Sequence, residues 1–398
     1  MKFRIACCLL LFITACVFMI HGCQPHEAAQ RHAAVKAAPE DLGSIDALPD
    51  TCRHPANNPS SKEKIALGRL LFYDPVLSGG RDIACATCHH PEFRYAESLE
   101  ISIGVNGQGL GEHRVFKQNN DIPFTKRNAQ SLLNTAFNGI DVNGNYSPEK
   151  APMFWDLRAE GLEQQAVMPV KTFEEMRGHG FAENNIENEV VNRIGRIAAY
   201  RSLFEKAFPG TDAVSMQNIG KALASFQRSL LANHSRFDKY MRGDRTAMSE
   251  RETEGMALFI KTGCARCHSG PMLSDFKTHV MGVADNEKLA VSDSGYRQTY
   301  AFRTPSLRNL RYTRPYMHSG KIQTLESVLT FYEDLQGKDL PNKNVQRSML
   351  DPLAQKLKVD FKNINAIIEF LGTLNDDNFD KEIPESVPSG LPVGGSIR

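Results

Sequence analysis

Two short runs of one pattern stand out: "CATCH" at Cys85–His89 and "CARCH" at Cys264–His268. Two cysteines two residues apart, with a histidine directly after, put two thiols and an imidazole on one turn of chain. That arrangement can hold a haem through two thioether bonds and give its iron one axial ligand. A Cys-x-x-Cys redox disulfide has no use for the histidine, and a zinc site usually wants four ligands close together. Two such runs point to two haem c groups, attached at Cys85 and Cys88 and at Cys264 and Cys267. His89 and His268 are then the iron ligands. His90 reads as a surface residue before Pro91, because His89 already fills the motif position. Whether each iron carries electrons or does chemistry depends on its other axial face, and the residue there must come from elsewhere in the chain.

The remaining cysteines point to export. Lys2 and Arg4 precede an apolar run, Ile5–Ile20, too short for a comfortable membrane span. The run leads to Gly22-Cys23, so residues 1–22 read as a lipoprotein-type signal peptide with Cys23 as the lipidated first residue. His21 stands where a small residue is usual, and ordinary signal cleavage nearby is the alternative. Either version exports the chain, and the expected location is the periplasm, with a lipid anchor to the outer membrane. Cys7, Cys8 and Cys16 leave with the signal, and Cys52 is left over. Net charge is +1 for the whole chain and becomes −1 without residues 1–22, which argues against nucleic acid as an electrostatic partner.

The elements that must position the two motifs show in the apolar spacing. Ser61 caps a predicted helix with Ile65, Leu67, Leu70 and Leu71 on one face, stopped by Asp74-Pro75. Further helices are expected over 128–138, 158–168, 185–207 and 215–232, with a long Gly- and Asn-rich loop over 104–124. In the second half, "SERETEGMALFIKTG" leads into the second motif, and "TLESVLTFYEDL" is a later helix. Each half thus runs helix, motif, loops, helix, a weak internal duplication with almost no strand signal. The expected organisation is a tether at 23–60, one unit at 61–232, a second at 233–378, and a flexible tail at 379–398, where Pro, Gly and Ser leave little to bury.

"LGRLLFYDPVLS", "CATCHHP", "SIG", "KRNAQSLLNTAFN", "MFWDLRAEGLEQQAVMPV", "EEM", "FDKY", "GCARCHSGP", "FRTPSLRN" and "PYMHSGK" occur in this order. Together they resemble the bacterial dihaem cytochrome c peroxidase family, which includes the MauG-like enzymes, from about Ser61 to Leu374. The resemblance implies a mainly α fold of two cytochrome c-like helical domains, each with one covalently bound haem c. The N-terminal haem would be catalytic and the C-terminal haem would transfer electrons.

By the same resemblance, Glu175 matches the family's distal acid, and Gln165 and Pro169 match other distal-pocket positions. A carboxylate above an open iron can move a proton between the two oxygens of peroxide. Without the resemblance, a solvated glutamate at a helix start, like neighbouring Glu174, is the favoured reading of Glu175. Trp155 matches the aromatic residue between the haems. Asn128, with the backbones of Thr313 and Pro315, matches a calcium site whose hard oxygen ligands suit that ion. Two positions depart from the peroxidases. After "SIG" they carry a histidine that blocks the first iron until reduction, and here Val105 stands instead, so an open haem is expected. His113, further along the loop, is the alternative ligand or else a solvated residue. At the second haem a methionine ligand is replaced by Tyr332, as in MauG-like enzymes. Tyr332 also fits the inward stripe of its helix, and Met272, Met281 and Met317 are alternative ligands.

The expected function is therefore a dihaem c oxidoreductase that reacts with hydrogen peroxide at the first haem. Its electrons would come from a small cytochrome c or copper protein, or, in the MauG-like version, from a protein substrate. A homodimer is compatible with this reading, and so is a non-catalytic dihaem electron carrier.

Overall fold

The computed structural model describes residues 42–397 apart from 211 and 338. The expected signal peptide and Cys23 lie outside these residues. Eleven α-helices are described: α1 Lys62–Tyr73, α2 Cys85–Cys88, α3 Gly161–Gln165, α4 Met168–Lys171, α5 Ile186–Arg196, α6 Ala198–Ala207, α7 Met216–Ser229, α8 Arg236–Met241, α9 Glu250–Lys261, α10 Leu325–Asp334 and α11 Phe361–Gly372. Among the described residues, strand is confined to three antiparallel two-stranded ladders: residues 107–108 with 115–116, 152–153 with 159–160, and 278–280 with 301–303. Among the described residues no helix is long and apolar enough to cross a membrane.

Local signals set the helix ends. Ser61 accepts the Lys64 amide at the start of α1, and Asp74 ends it while its carboxylate accepts the Val76 amide. Ser249 and Glu252 exchange hydrogen bonds across the first turn of α9, satisfying two amides that the helix itself leaves free.

The duplication expected from sequence appears as two matching helix crossings. Helix α1 precedes the first motif and is covered by α7, and α9 precedes the second motif and is covered by α11. Each crossing closes on a glycine. A Cβ on Gly68 would lie 2.0 Å from the Ala222 carbonyl oxygen and 2.9 Å from Phe226 Cβ. On Gly255 it would lie 1.9 Å from the Ala366 oxygen and 3.1 Å from Phe370 Cβ. Both partner helices therefore present an alanine carbonyl and, four residues on, a phenylalanine. Gly255→Val forces α9 and α11 apart and is expected to cost about 1–3 kcal/mol, the usual range for overpacking. Urea unfolding of the haem-loaded protein, followed at the second haem, measures it, and a change below about 0.5 kcal/mol would contradict so close a crossing.

Several expectations change. Residues 128–138 form no helix beyond a turn at Thr135–Phe137, because their amides bond to distant carbonyls, Asn128 to His318, Leu132 to Tyr95 and Asn134 to Leu230. The stretch 158–168 is a ladder strand followed by the short α3, and 185–207 breaks at Ile197 into α5 and α6. Helix α11 was not anticipated. Residues 379–397 are laid along the first helical nest instead of standing free. Asp380 pairs with Arg69, Val387 is 5% exposed within the core, and Ser389 Oγ donates to Asp74 at 2.7 Å. Backbone groups and short side chains make most of these contacts, which is why a Pro-, Gly- and Ser-rich composition concealed them.

Candidate active site at the two Cys-x-x-Cys-His motifs

The two motif histidines are held alike. His89 Nδ1 donates to the Tyr95 carbonyl at 3.0 Å, and His268 Nδ1 to the Leu273 carbonyl at 3.0 Å. Each bond fixes the ring and the tautomer and leaves Nε2 as the free, electron-donating nitrogen, which is what an axial ligand requires. Cys85, Cys88, Cys264 and Cys267 are all free thiols, so neither Cys-x-x-Cys pair is a disulfide. Burial pushes the thiols of Cys85 and Cys264 up, to about 12 and about 11, and holds them neutral.

Cys85, Cys88, His89, His268, Tyr332 and Glu175 share an unusual environment. Each lies deep among protein atoms, yet part of its surface is uncovered. At the second motif, residues of this kind border an internal hollow. This hollow measures about 880 Å³ including its open mouth and is lined by Cys264, Cys267, His268, Tyr332, Met281, Met317 and His318, among others. A covalently attached haem fits this donor set: paired free thiols, an oriented imidazole and an apolar hollow. Of the alternative sulfur ligands, Met281 and Met317 border the hollow, whereas Met272 packs in a separate cluster with Leu48 and Phe137.

At the first motif, Glu175 sits in a π-helical turn, Phe173–Arg177, closed by Arg177 and Gly178 amides bonding to carbonyls five residues back. Such turns are rare and recur at functional sites. Burial pushes the Glu175 carboxyl up to about 7, against the pull of Arg158, and the carboxylate lies close enough to Cys88 to influence its ionisation. Gln165 ends α3, with a buried Oε1 that has no partner. Pro169 opens α4, which abuts the π turn. The Val105 amide donates to the Glu174 carbonyl at 3.1 Å, so the residue in place of the family's blocking histidine is tied to this turn. His113 is exposed on a surface turn. His90 is buried, not on the surface, and its Nδ1 accepts the Glu92 amide.

The two halves meet at Trp155. Its Nε1 donates to the Asn128 carbonyl at 3.0 Å, and the Asn128 amide donates to the His318 carbonyl at 2.8 Å. The Trp155 ring is edge-on to His318, which is stacked on Phe302 at 3.5 Å. Asn128 is thereby bonded to the loop that carries Thr313 and Pro315, three residues short of His318. Sequence reasoning gave no role to His318, Arg303 or His279. His318 Nε2 is buried without a partner, and burial pulls this histidine down to about 3, keeping it neutral. Arg303 donates to the Phe154 carbonyl and to Gln130 Oε1, both neutral, so a haem carboxylate in the hollow it borders suits its charge. His279 is clamped between Asp275 at 3.1 Å and Asp351 at 2.8 Å. Burial pulls it down, but Asp275, the neighbouring Cys267 and Asp351 together push it up, which favours the cation over a free metal ligand.

The family described as "Di-haem cytochrome c peroxidase" matches residues 62–246. The chain is 34% identical over 308 residues to the methylamine utilization protein MauG of Methylorubrum extorquens, covering 75% of this chain and 78% of that one. It is 29% identical over 365 residues to the cytochrome c551 peroxidase of Nitrosomonas europaea, covering 90% of each. Among solved structures, a MauG-like protein associated with microbial copper homeostasis superposes with a TM-score of 0.67 at 28% identity, over 83% of this chain and 95% of that one.

Proposed function

Because the chain belongs to the dihaem cytochrome c peroxidase family and is a haem peroxidase-type enzyme, we propose that it acts on hydrogen peroxide at the His89 site. Haem bound there supplies the redox-active iron. Glu175 takes a proton from the near oxygen of peroxide and returns it to the leaving oxygen, while Gln165 Oε1 accepts a hydrogen bond that orients the pair. The observation that carries this reading is the Glu175 carboxyl itself. It is buried in the π turn close enough to Cys88 to act on its ionisation, and burial pushes it up to about 7, where a carboxyl can both take and return a proton near neutral pH. Val105 offers no atom able to occupy the distal face, so the site is open in the oxidised protein. Cyanide added to the oxidised protein tests this. One haem per chain is expected to bind it without prior reduction, and binding at neither would overturn the reading.

Trp155 relays an electron between the two sites, supported by its burial and by its place on the rim of the hollow at the second motif. Two reducing equivalents must follow, from a small cytochrome c or copper protein. The MauG-like alternative, in which they come from a protein substrate, is favoured by Tyr332. Burial, with Cys264 and Cys267 close by, pushes its phenol well up and keeps it protonated. A phenolate there would need the positive charge of a ferric ion to form. Tyr332→Phe is expected to change the absorption spectrum of the second haem while leaving that of the first in place. An unchanged spectrum would assign the tyrosine to packing. Calcium held by Asn128 and the carbonyls of Thr313 and Pro315 belongs to the same proposal, as does export to the periplasm with a lipid at Cys23.

A further inference from the structure

Arg114 is 1% exposed, and its hydrogen-bond partners are backbone carbonyls. Its Nε donates to Ile103, Nη2 to Gly104 at 2.9 Å, and Nη1 to Gly109 at 2.9 Å and Ser396 at 3.1 Å. Burying a guanidinium is costly, even with the Glu97 and Asp82 carboxylates near enough to act on its charge, and this one ties together two segments nearly three hundred residues apart. The segment around Ser396 is itself fastened at the first motif. Gly394 N donates to the Tyr73 carbonyl and Ser396 N to the Asp82 carbonyl, both at 2.8 Å. Thr87, inside the motif, donates to the Gly394 carbonyl at 2.9 Å. Ser396 Oγ and the Gly109 amide close the contact from the loop side, through the Gly107 and Ser396 carbonyls.

The same loop reaches the Glu175 turn. Besides the Val105 amide on the Glu174 carbonyl, a Cβ on Gly104 would lie 2.3 Å from the Glu174 oxygen and 2.4 Å from the Glu175 oxygen. Only a glycine lets the loop approach so closely. Across the turn, a Cβ on Gly178 would lie 2.9 Å from Val105 Cγ1. A continuous set of contacts therefore runs from residues 394–396 through Arg114 and the loop 103–109 to the backbone that carries Glu175.

We propose that Gly394–Ser396 and Arg114 form a latch that positions Glu175. The C-terminal segment fixes Arg114, Arg114 fixes the loop, and the loop holds the π turn so that the carboxyl stays beside the first motif. This rests on the reading of Glu175 as the proton-shuttling acid. Arg114 and the C-terminal segment are positioning residues, since neither touches the reacting atoms. The latch also gives the loop a permanent fastening, one that does not depend on a bond from residue 105 to iron.

The test uses the full-length haem-loaded protein. Gly395→Val displaces the segment, because Gly395 has φ +75° and its Cβ would lie 2.3 Å from the Asp82 oxygen. Arg114→Met removes the hub, and Ser396→Ala is the mild variant should either of the others fail to load haem. Stopped-flow reaction of the oxidised protein with peroxide is followed from pH 5 to 9, beside Glu175→Gln. In Gly395→Val and Arg114→Met the rate is expected to fall about tenfold or more, the scale of a misplaced catalytic group. The pH inflection should move down toward the ordinary carboxylate range as the turn takes up water. Ser396→Ala shifts the inflection in the same direction by less, and the second haem's spectrum stays unchanged in all three. Rate and inflection unchanged in every latch variant, with Glu175→Gln strongly impaired, would overturn the latch alone. An unimpaired Glu175→Gln would instead overturn the reading on which the latch rests.

Discussion

Replacing Glu175 by Gln is expected to slow the reaction of the oxidised protein with hydrogen peroxide by about 10²- to 10⁴-fold, with both haem spectra in place. The amide keeps the size and polarity of the side chain but cannot take and return a proton. The other buried acid acting on Cys88 is Glu97, which burial likewise pushes up to about 7. Glu174 is the neighbouring acid, but it serves the turn through its carbonyl, which accepts the Val105 amide. The pH dependence follows from the raised carboxyl. With a pKa of about 7, Glu175 is mostly protonated at pH 5 and mostly ionised at pH 8. Only the ionised form can accept the peroxide proton, so the wild-type rate should rise through about pH 7 and level off. Glu175→Gln should lose that inflection as well as the rate. A variant that keeps both would remove Glu175 from the chemistry.

Asp238→Ala is expected to destabilise the haem-loaded protein by about 3–5 kcal/mol, the cost of leaving a buried charge without its partner. Asp238 and Arg308 are 0% and 1% exposed, and Arg308 Nη1 donates to both carboxylate oxygens at 2.8 Å. The pair is a junction, not an isolated bridge. The same carboxylate accepts the Leu48 and Ser235 amides, both at 3.0 Å, and Arg308 also donates to the Pro271 and Asp46 carbonyls. Pro271 lies three residues beyond His268, so the pair braces the backbone of the second motif. Chemical unfolding followed at the second haem is the measurement. Adding Arg308→Leu to Asp238→Ala should recover part of the loss, because the stranded guanidinium is then gone. A loss below about 1 kcal/mol for Asp238→Ala would mean that the charge finds water after all.

Much of the site was readable because covalent haem attachment writes its residues in one short run. The Cys-x-x-Cys-His spacing named six residues, three of which line the hollow at the second motif, and both histidines are braced by a carbonyl five or six residues on. Helix ends carrying their own capping chemistry, as at Ser61 and Ser249, were equally legible. The stretch 128–138 was misread because Leu132, Leu133, Ala136 and Phe137 imitate a helical face. Its backbone is instead claimed by distant carbonyls, with Asn134 at φ +63°, and tertiary bonding outweighs local propensity there. Helix α11 was missed although Asp360 caps it and Ile364, Ile367, Phe370 and Leu371 bury one face. That periodicity was available to a closer reading. Arg114, Arg303 and His318 gave no such signal. An arginine or histidine in a polar loop looks solvated until the fold encloses it.

The most direct test of the account adds one equivalent of hydrogen peroxide to the fully oxidised protein and records the haem absorption spectrum over time. An open first site linked through Trp155 to a Tyr332-facing second site predicts an immediate change at both haems, with no prior reduction. A spectrum that stays unchanged until one electron has been supplied would contradict the account, because it would mean that the first site is closed at rest despite Val105.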